Sequence, residues 1–427
     1  MKKFFRLLLV ATYVTICAHD KNMLLEHINS YIASHGIDDS SIDAHRLRGS
    51  MYLDMGKFQE ALTDYDFVIT YQPQDFKSHF RKADALIAQG KFDDAIAVYQ
   101  PLLQKNHILD PAQLGLTYCY LSKGDLANAW ATGEWNSKKN KPYGSHLRTL
   151  LKTNTIAGKT IVLISKNGFG DTIQFIRYAE PLKRMGATVL VCVPQELLPL
   201  LSSNPYIDQL YSCEEIPMHN ASADITSMAA ILHDTVDTTI PNKIPYLFAD
   251  ERLCTYWQEK LQHDTNFKIG ICWQASPQHE VLYPPTKQRS MPLTQFFKCK
   301  DIPGISWYSL QQVDGLDQLA QIPPDFKLHV FPDDFDKTHG IFMDTAAVIA
   351  NLDLVISVDT ATAHLAGALG KPVWLLLPYV SDARWTYGCT DSMWYPYHHI
   401  FKQPEPFDWD SVIATILKEL SAHVKNK

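Results

Sequence analysis

The stretch Leu352–Pro378, LDLVISVDTATAHLAGALGKPVWLLLP, decides the architecture. Leu354–Val358 is a short apolar run rich in β-branched residues, the composition of a strand buried on both faces. Asp359 and Thr360 interrupt it with side chains suited to capping a helix. Thr362–Leu369 is small and apolar enough for a short helix, Gly370 stands where a C-terminal cap glycine would, and Pro372 blocks continuation. Val373–Leu377 then reads as the next buried strand. Such a unit aims the free N–H groups of the helix start at whatever lies above the strand's carboxyl end, a place for an anion such as a diphosphate. The same spacing suits an ordinary βαβ connection, and on this stretch alone both readings stay open.

A second unit of the same kind lies upstream. Thr160–Ser165 reads as a buried strand, followed by the loop Lys166–Asp171, an amphipathic helix DTIQFIRYAEPLKRMG closed by Gly186, and a strand over Ala187–Val193. Gly168 and Gly170 tolerate positive φ and let another group approach the backbone. The third glycine of the dinucleotide fingerprint is missing, which argues against NAD. Asp171 at the helix start is either an N-cap or a carboxylate placed to take a proton from an attacking hydroxyl, and its spacing favours the cap. From Pro194 to Asn266 the pattern weakens, with fragments near Ile207–Tyr211 and Ser227–Leu232, and Pro245–Leu247 starts the crossing to a second strand series. That series opens at Phe267–Trp273 and continues at Ile305–Leu310 and Lys327–Phe331, with a helix over Met343–Ala350. Arg289, at the end of a polar loop over 274–288, either reaches a phosphate with its planar fork or caps a surface loop.

The amino-terminal third repeats itself. Gly56, Phe58, Ala61, Tyr65 and Val68 recur 34 residues later as Gly90, Phe92, Ala95, Tyr99 and Leu102, and a worn copy follows at Gly124, Leu126 and Ala129. That is the tetratricopeptide period: helix pairs that turn on a glycine, approach through alanines and bury their apolar faces only by stacking. Asn22–His35 has helical periodicity and could cap the stack. Tetratricopeptide repeats imply a concave surface for a peptide or protein partner, or a short structural cap. The expected repeat domain runs over 21–137, with a polar linker over 138–159.

Composition narrows the classes. The chain has 427 residues, 46% of them hydrophobic, enough for two or three packed domains. A net charge of -7 lacks the basic footprint of a nucleic-acid binder. Eight cysteines occur without a CxxC pair, several inside apolar runs, as for buried thiols in a reducing compartment. Residues 1–20 have a basic start and an apolar stretch from Leu7 to Ala18, which fits a signal peptide or an apolar first helix. The stretch is too short and too interrupted for stable membrane insertion.

Four separated blocks carry a family resemblance: GFGDTIQFIRYAEPLKRMGA from Gly168, GICWQASP with RSMPL, MDTAAVIANLDLVISVDTATAHLAGALGKPVWLLLP from Met343, and RWTYGCTDSMWYP from Arg384. Together with the repeats they resemble the bacterial tetratricopeptide-repeat glycosyltransferases, whose carboxyl-terminal part is similar to the heptosyltransferase family (glycosyltransferase family 9) and distantly to O-GlcNAc transferase. The resemblance implies an α/β GT-B fold, two Rossmann-like domains facing a cleft, preceded by the all-α repeat domain. The expected acceptor-side half is 160–260, the nucleotide-sugar half 261–404, and a C-terminal helix over 405–427 crosses back to tether the first half.

The resemblance also implies roles. Asp359 would hold the nucleotide ribose, and the amides of Thr360, Ala361, Thr362 and Ala363 would cradle the diphosphate with His364 close by. Arg289 would be a second phosphate contact, Arg384 and Trp385 would lie on the cleft rim, and Asp171 would be the catalytic base behind an acceptor-side loop opened by Gly168 and Gly170. Where that family's loop carries Asn-Asp-Arg before Arg-Ser, this chain reads PPTKQRS, leaving His279 and Lys287 to take over sugar-side contacts. Without a DxD motif of the metal-dependent kind, neither metal nor cofactor is expected, and transfer would proceed with inversion. The implied function is sugar transfer from a nucleotide sugar to a protein or glycan acceptor. A catalytically silent repeat scaffold for a partner protein is the alternative. Nucleotide sugars place such an enzyme in the cytoplasm; a cleaved leader over residues 1–18 would instead mean export.

Overall fold

The computed structural model describes residues 18–105, 110–139, 144–214, 216–236, 240–241, 243–280 and 288–425. The signal-peptide reading and Lys287 therefore lie outside the described residues, as does the side chain of His279. The chain divides into a unit that ends its main segment at Thr132 and a unit built from Gly133–Leu282 and Lys287–Lys427.

The first unit is helical: α1 (Ala18–Ser34), α2 (Asp39–Asp54), α3 (Phe58–Tyr71), α4 (Phe76–Ala88), α5 (Phe92–Lys105) and α6 (Asp110–Ser122), with α7 (Leu126–Lys139) beginning in it. The repeat register is visible in the backbone. Gly56, Gly90 and Gly124, spaced by 34, share the same left-handed turn with φ of 74°, 71° and 73°. Ala61, Ala95 and Ala129 are fully buried where helices meet, and the rings of Tyr65 and Tyr99 fill the interior. The expected cap is α1, whose Leu25 and Ile28 pack on Ala44 and Met51 of α2. Patterning did not announce Asp64, a buried carboxylate that accepts from Arg48 Nη2 at 2.7 Å and lies 2.6 Å from His45 Nδ1.

The second unit holds α8 (Ser145–Lys152), β1 (Thr160–Ile164), α9 (Phe169–Phe175), α10 (Ala179–Arg184), β2 (Thr188–Val193), α11 (Leu198–Leu201), β3 (Gln209–Ser212), β4 (Ala221–Asp224) and α12 (Met228–Val236). Then come α13 (Glu251–Leu261), β5 (Phe267–Cys272), α14 (Pro277–Glu280), β6 (Ile305–Ser309), β7 (Leu328–His329), α15 (Met343–Asn351), β8 (Leu354–Val358), α16 (Ala361–Ala368), β9 (Val373–Leu377), β10 (His398–Lys402) and α17 (Trp409–Lys425). Two all-parallel sheets result, ordered β3-β2-β1-β4 and β10-β9-β8-β5-β6-β7. This is the GT-B arrangement. Strand order reverses between β1 and β4 in the first sheet and between β8 and β5 in the second, and crevices for ligands open at the carboxyl ends of strands at such switch points.

Several boundaries differ from the sequence expectation. The stretch read as a linker contains α8, whose Leu147, Leu150 and Leu151 are buried and which packs on β4 and α12. The single helix expected after Asp171 is broken into α9, a 3-10 turn at Ile176–Tyr178, and α10. Pro181 supplies no N–H for the Arg177 carbonyl one turn earlier, so the helix cannot run through. Helix α13, assigned by sequence to the first half, packs on α15 of the second, with Trp257 Nε1 donating to Asp344 Oδ1 at 2.9 Å. Helix α17 does not cross back. Its Trp409, Val412, Ile413, Ile416 and Leu420 belong to the core beneath the second sheet, with Phe267, Ile269 and Phe296.

The two halves are joined instead by a buried polar seam. Arg177, 2% exposed, donates to the carbonyls of Gln174 (2.8 Å), Pro241 (3.2 Å) and Trp394 (2.6 Å) and to Tyr246 Oη (2.9 Å). Its guanidinium also lies over the rings of Tyr246 and Tyr395 at 4.5 and 4.7 Å. The backbone amide of Tyr246 bonds to the Ala368 carbonyl at the end of α16.

Close packing in the first unit leads to a stability prediction. A Cβ on Gly115 would sit 2.3 Å from Tyr99 Cζ, whereas one on Gly36 would meet nothing within 4 Å. Gly115→Ala should cost about 1–3 kcal/mol through overpacking, while Gly36→Ala should not destabilise. Thermal unfolding of the two variants, followed by circular dichroism, checks this.

Candidate active site

Both switch-point loops meet over the seam. Gly168 ends the turn after β1 in extended conformation, and α9 carries Asp171 in its first turn. The N-cap reading of Asp171 fails: no side chain caps this helix, and Asp171 Oδ1 accepts from Arg384 Nη2 at 2.9 Å, across the cleft. The pair is partly open, with side-chain exposures of 33% and 21%. Arg384 uses the rest of its fork on Gln174 Oε1 (2.5 Å) and Asp382 Oδ1 (3.1 Å). Burial opposes its charge, but the Asp382, Asp171 and Asp359 carboxylates outweigh this and hold its pKa well above the ordinary value. Gly170 brings the loop close against α16. A Cβ there would lie 3.0 Å from His364 Cδ2 and 3.5 Å from Ala361 Cα.

The opposing turn follows β8. Asp359 is buried, with Oδ1 3.6 Å from His364 Nε2. Burial raises its pKa, yet the neighbouring His364 and the charges of Arg384 and Arg289 more than offset this, leaving the carboxyl well below its usual range. Thr360 precedes α16 but does not cap it by its side chain, because its hydroxyl turns toward Ser357 Oγ (3.1 Å) and Cys272 Sγ (3.6 Å). The amides of Thr360, Ala361 and Thr362 consequently donate to no group among the described residues. The Ala363 amide, expected to join them, is taken up by the Thr360 carbonyl at 3.1 Å. Arg289 is anchored near the end of β5 by its neighbours: Ser290 Oγ accepts from the Ala275 amide, and the Met291 amide donates to the Trp273 carbonyl.

Trp385 departs from its expected place on the rim. It is 1% exposed and stacks on His364 with ring centroids 5.5 Å apart, so it supports the site from behind. Arg384 does line the cleft. Sequence reasoning missed Gln174, Arg177, Tyr246, Gln311 and Tyr395. Gln311 Oε1 accepts from the Trp273 and Gln274 amides at 3.0 and 2.9 Å and so shapes the loop after β5. Tyr395 stood inside a quoted block, and its placement next to Trp394 was the available signal. Among the described residues no group of three or more His, Cys, Asp or Glu is placed to hold a metal ion.

Comparison with known proteins agrees with this geometry. Residues 342–386, which span α15, β8, α16, β9 and Arg384, match glycosyltransferase family 9 (heptosyltransferase). The second unit resembles a family 9 glycosyltransferase. Residues 46–111 and 80–134 match the tetratricopeptide repeat. Protein FlbA of Caulobacter vibrioides is 20% identical over 410 residues, 88% of this chain and 66% of its own length. The chain thus spans somewhat under two thirds of that relative by the aligned share. Among solved structures, a glycosyl transferase family 9 protein from Veillonella parvula superposes with a TM-score of 0.44 at 13% identity, covering 63% of this chain and 97% of that one. The ADP-heptose lps heptosyltransferase II of E. coli gives 0.43 at 14%, covering 62% and 99%. No helix among the described residues is long and apolar enough to cross a membrane.

The glycosyltransferase-like site contains two buried histidines that govern acid stability. Burial holds His364 and, more strongly, His398 below the ordinary value of 6.5. With depressed folded values, their contribution is present above pH 6.5 and lost as pH falls, because only the unfolded chain takes up the protons. Each should cost about 1.4 kcal/mol per pH unit below 6.5 until its folded value is reached. Urea denaturation at pH 7, 6 and 5 should show that decline, and His398→Leu should reduce its slope.

Proposed function

We propose that the chain transfers a sugar from a nucleotide-sugar donor to a protein or glycan acceptor, without a metal and with inversion at the anomeric carbon. The observation that supports this most is the meeting of Asp171 with Arg384 above the start of α16. It brings a carboxylate from one half, on a loop whose Gly170 lies against Ala361, to the same cleft as unbonded helix-end amides on the other. A donor diphosphate would accept from the Ala361 and Thr362 amides, with Arg289 and Arg384 supplying positive charge. The ribose would lie against Asp359.

In the reaction, an acceptor hydroxyl attacks the anomeric carbon from the Asp171 side while the bond to the diphosphate oxygen breaks. The hydroxyl proton passes to the Asp171 carboxylate, and the electron pair of the broken bond stays on the diphosphate, whose added charge faces the amides and arginines. The Asp171–Arg384 bond must loosen for this to occur, and an incoming diphosphate competes for Arg384. Inversion follows from attack opposite the leaving group. The repeats would present a protein acceptor, in keeping with the surfaces such repeats form.

Donor turnover by the purified full chain over a panel of nucleotide sugars tests the reading, with binding measured by calorimetry. Asp171→Asn should lower the rate about 100-fold or more while donor binding persists. Asp359→Ala should abolish binding. Absence of binding by every donor at millimolar concentration would overturn the enzyme reading in favour of a silent scaffold.

A further inference from the structure

A continuous buried chain of polar groups runs from the seam to the floor of the site. Arg177 Nη2 donates to Tyr246 Oη at 2.9 Å, Tyr246 Oη lies 3.3 Å from Tyr395 Oη, and Tyr395 Oη lies 2.9 Å from His364 Nδ1. His364 Nε2 then faces Asp359 Oδ1 at 3.6 Å. Every member is 3% exposed or less. Its two ends fix the direction of donation. A guanidinium can only donate, and an ionised carboxylate can only accept. With Arg177 donating into Tyr246, whose own O–H points to Tyr395 Oη and, at 3.5 Å, to the Gln174 carbonyl, neither acceptor of that proton needs one from Tyr395, so Tyr395 O–H donates to His364 Nδ1. The far end demands the same tautomer: with the proton on Nδ1, the Nε2 lone pair would face the Asp359 carboxylate.

We propose that Tyr395 is a positioning residue that holds His364 as the Nε2–H tautomer, so that an N–H donor stands ready beside the α16 amides for the anionic ligand of this turn. Resting on the proposed donor site, this adds a residue and a linkage that the site reading does not contain. Arg177 comes from the first half, Tyr246 from the crossing segment and Tyr395 from the second half. Docking of the halves on the seam therefore reinforces, through Arg177 and Tyr246, the tautomer that Asp359 favours, which couples closure of the halves to readiness of the site. Burial leaves His364 neutral near pH 7, with the Asp359 carboxylate opposing and the Arg384 charge reinforcing that effect, so the position of its single proton is a real choice. Its ring cannot turn to compensate, because Trp385 stacks on one face and Gly170 abuts Cδ2.

Two-bond nitrogen–proton correlation spectra of the full chain labelled with 15N-histidine read this directly, with His364 assigned by its loss in His364→Gln. The wild type should show the Nε2–H pattern. Tyr395→Phe keeps the ring and its packing but removes the donor, and His364 should shift to a mixture of tautomers. For donor turnover, kcat should fall about tenfold with KM for the donor changed far less, because the lost hydrogen bond strengthens only as charge develops on the leaving group. Tyr246→Phe, one link further from the site, should shift the same resonance in the same direction and serves should Tyr395→Phe fail to fold. An unchanged Nε2–H pattern in the folded phenylalanine variant, or an Nδ1–H pattern in the wild type, would overturn the proposal. The tautomer is read without substrate, so failure of the glycosyl-transfer reading would show separately, as wild-type protein of the correct tautomer that turns over no donor.

Discussion

A guanidinium buried between two sheets is the constraint on which the second unit depends. Arg177 is satisfied by three backbone carbonyls, one phenol and the faces of aromatic rings. A charge taken out of water is tolerable only when its donors are matched, and these acceptors come from both halves and from the segment that links them. Packing across a cleft must leave room for a ligand, so apolar burial alone cannot hold such halves in register. Directional bonds from one residue can.

The seam and the site share residues. Gln174 lends its carbonyl to Arg177 and its side-chain oxygen to Arg384, and Arg384 in turn reaches Asp171. Tyr395 lies over Arg177 and touches His364. The positions of Asp171, Arg384 and Asp359 are thus consequences of how the halves dock, which makes the cleft a property of the pair. Strand topology supplies the rest: the loops after β1 and β8 stand at the reversals of strand order, where no neighbouring crossover helix fills the space.

Much of this was legible in the sequence. Period-34 glycines announced the repeat turns because a left-handed turn leaves few other choices. Buried parallel strands announced themselves by β-branched runs, as in Leu354–Val358. Strand β4 did not, since Ala-Ser-Ala-Asp has little β propensity and owes its conformation to pairing with β1. Local spacing also misjudged Asp171, which looked like a cap because its partner is 213 residues away. The same limit hid Arg177 and Tyr395, whose meaning lies in contacts between distant segments. Helix α17 has an amphipathic pattern that any apolar surface would satisfy, so sequence could not say which half it covers.

The repeats and the cleft form separate compact units, and the central claim concerns the cleft alone: the turn after β8, facing Asp171, is where a nucleotide diphosphate binds. A crystal structure of the full chain grown with a nucleoside diphosphate tests it most directly. The predicted result is a phosphate group within hydrogen-bond distance of the Ala361 and Thr362 amides, on the side of the turn that faces Asp171. A diphosphate bound elsewhere, with those amides left unengaged, would contradict it.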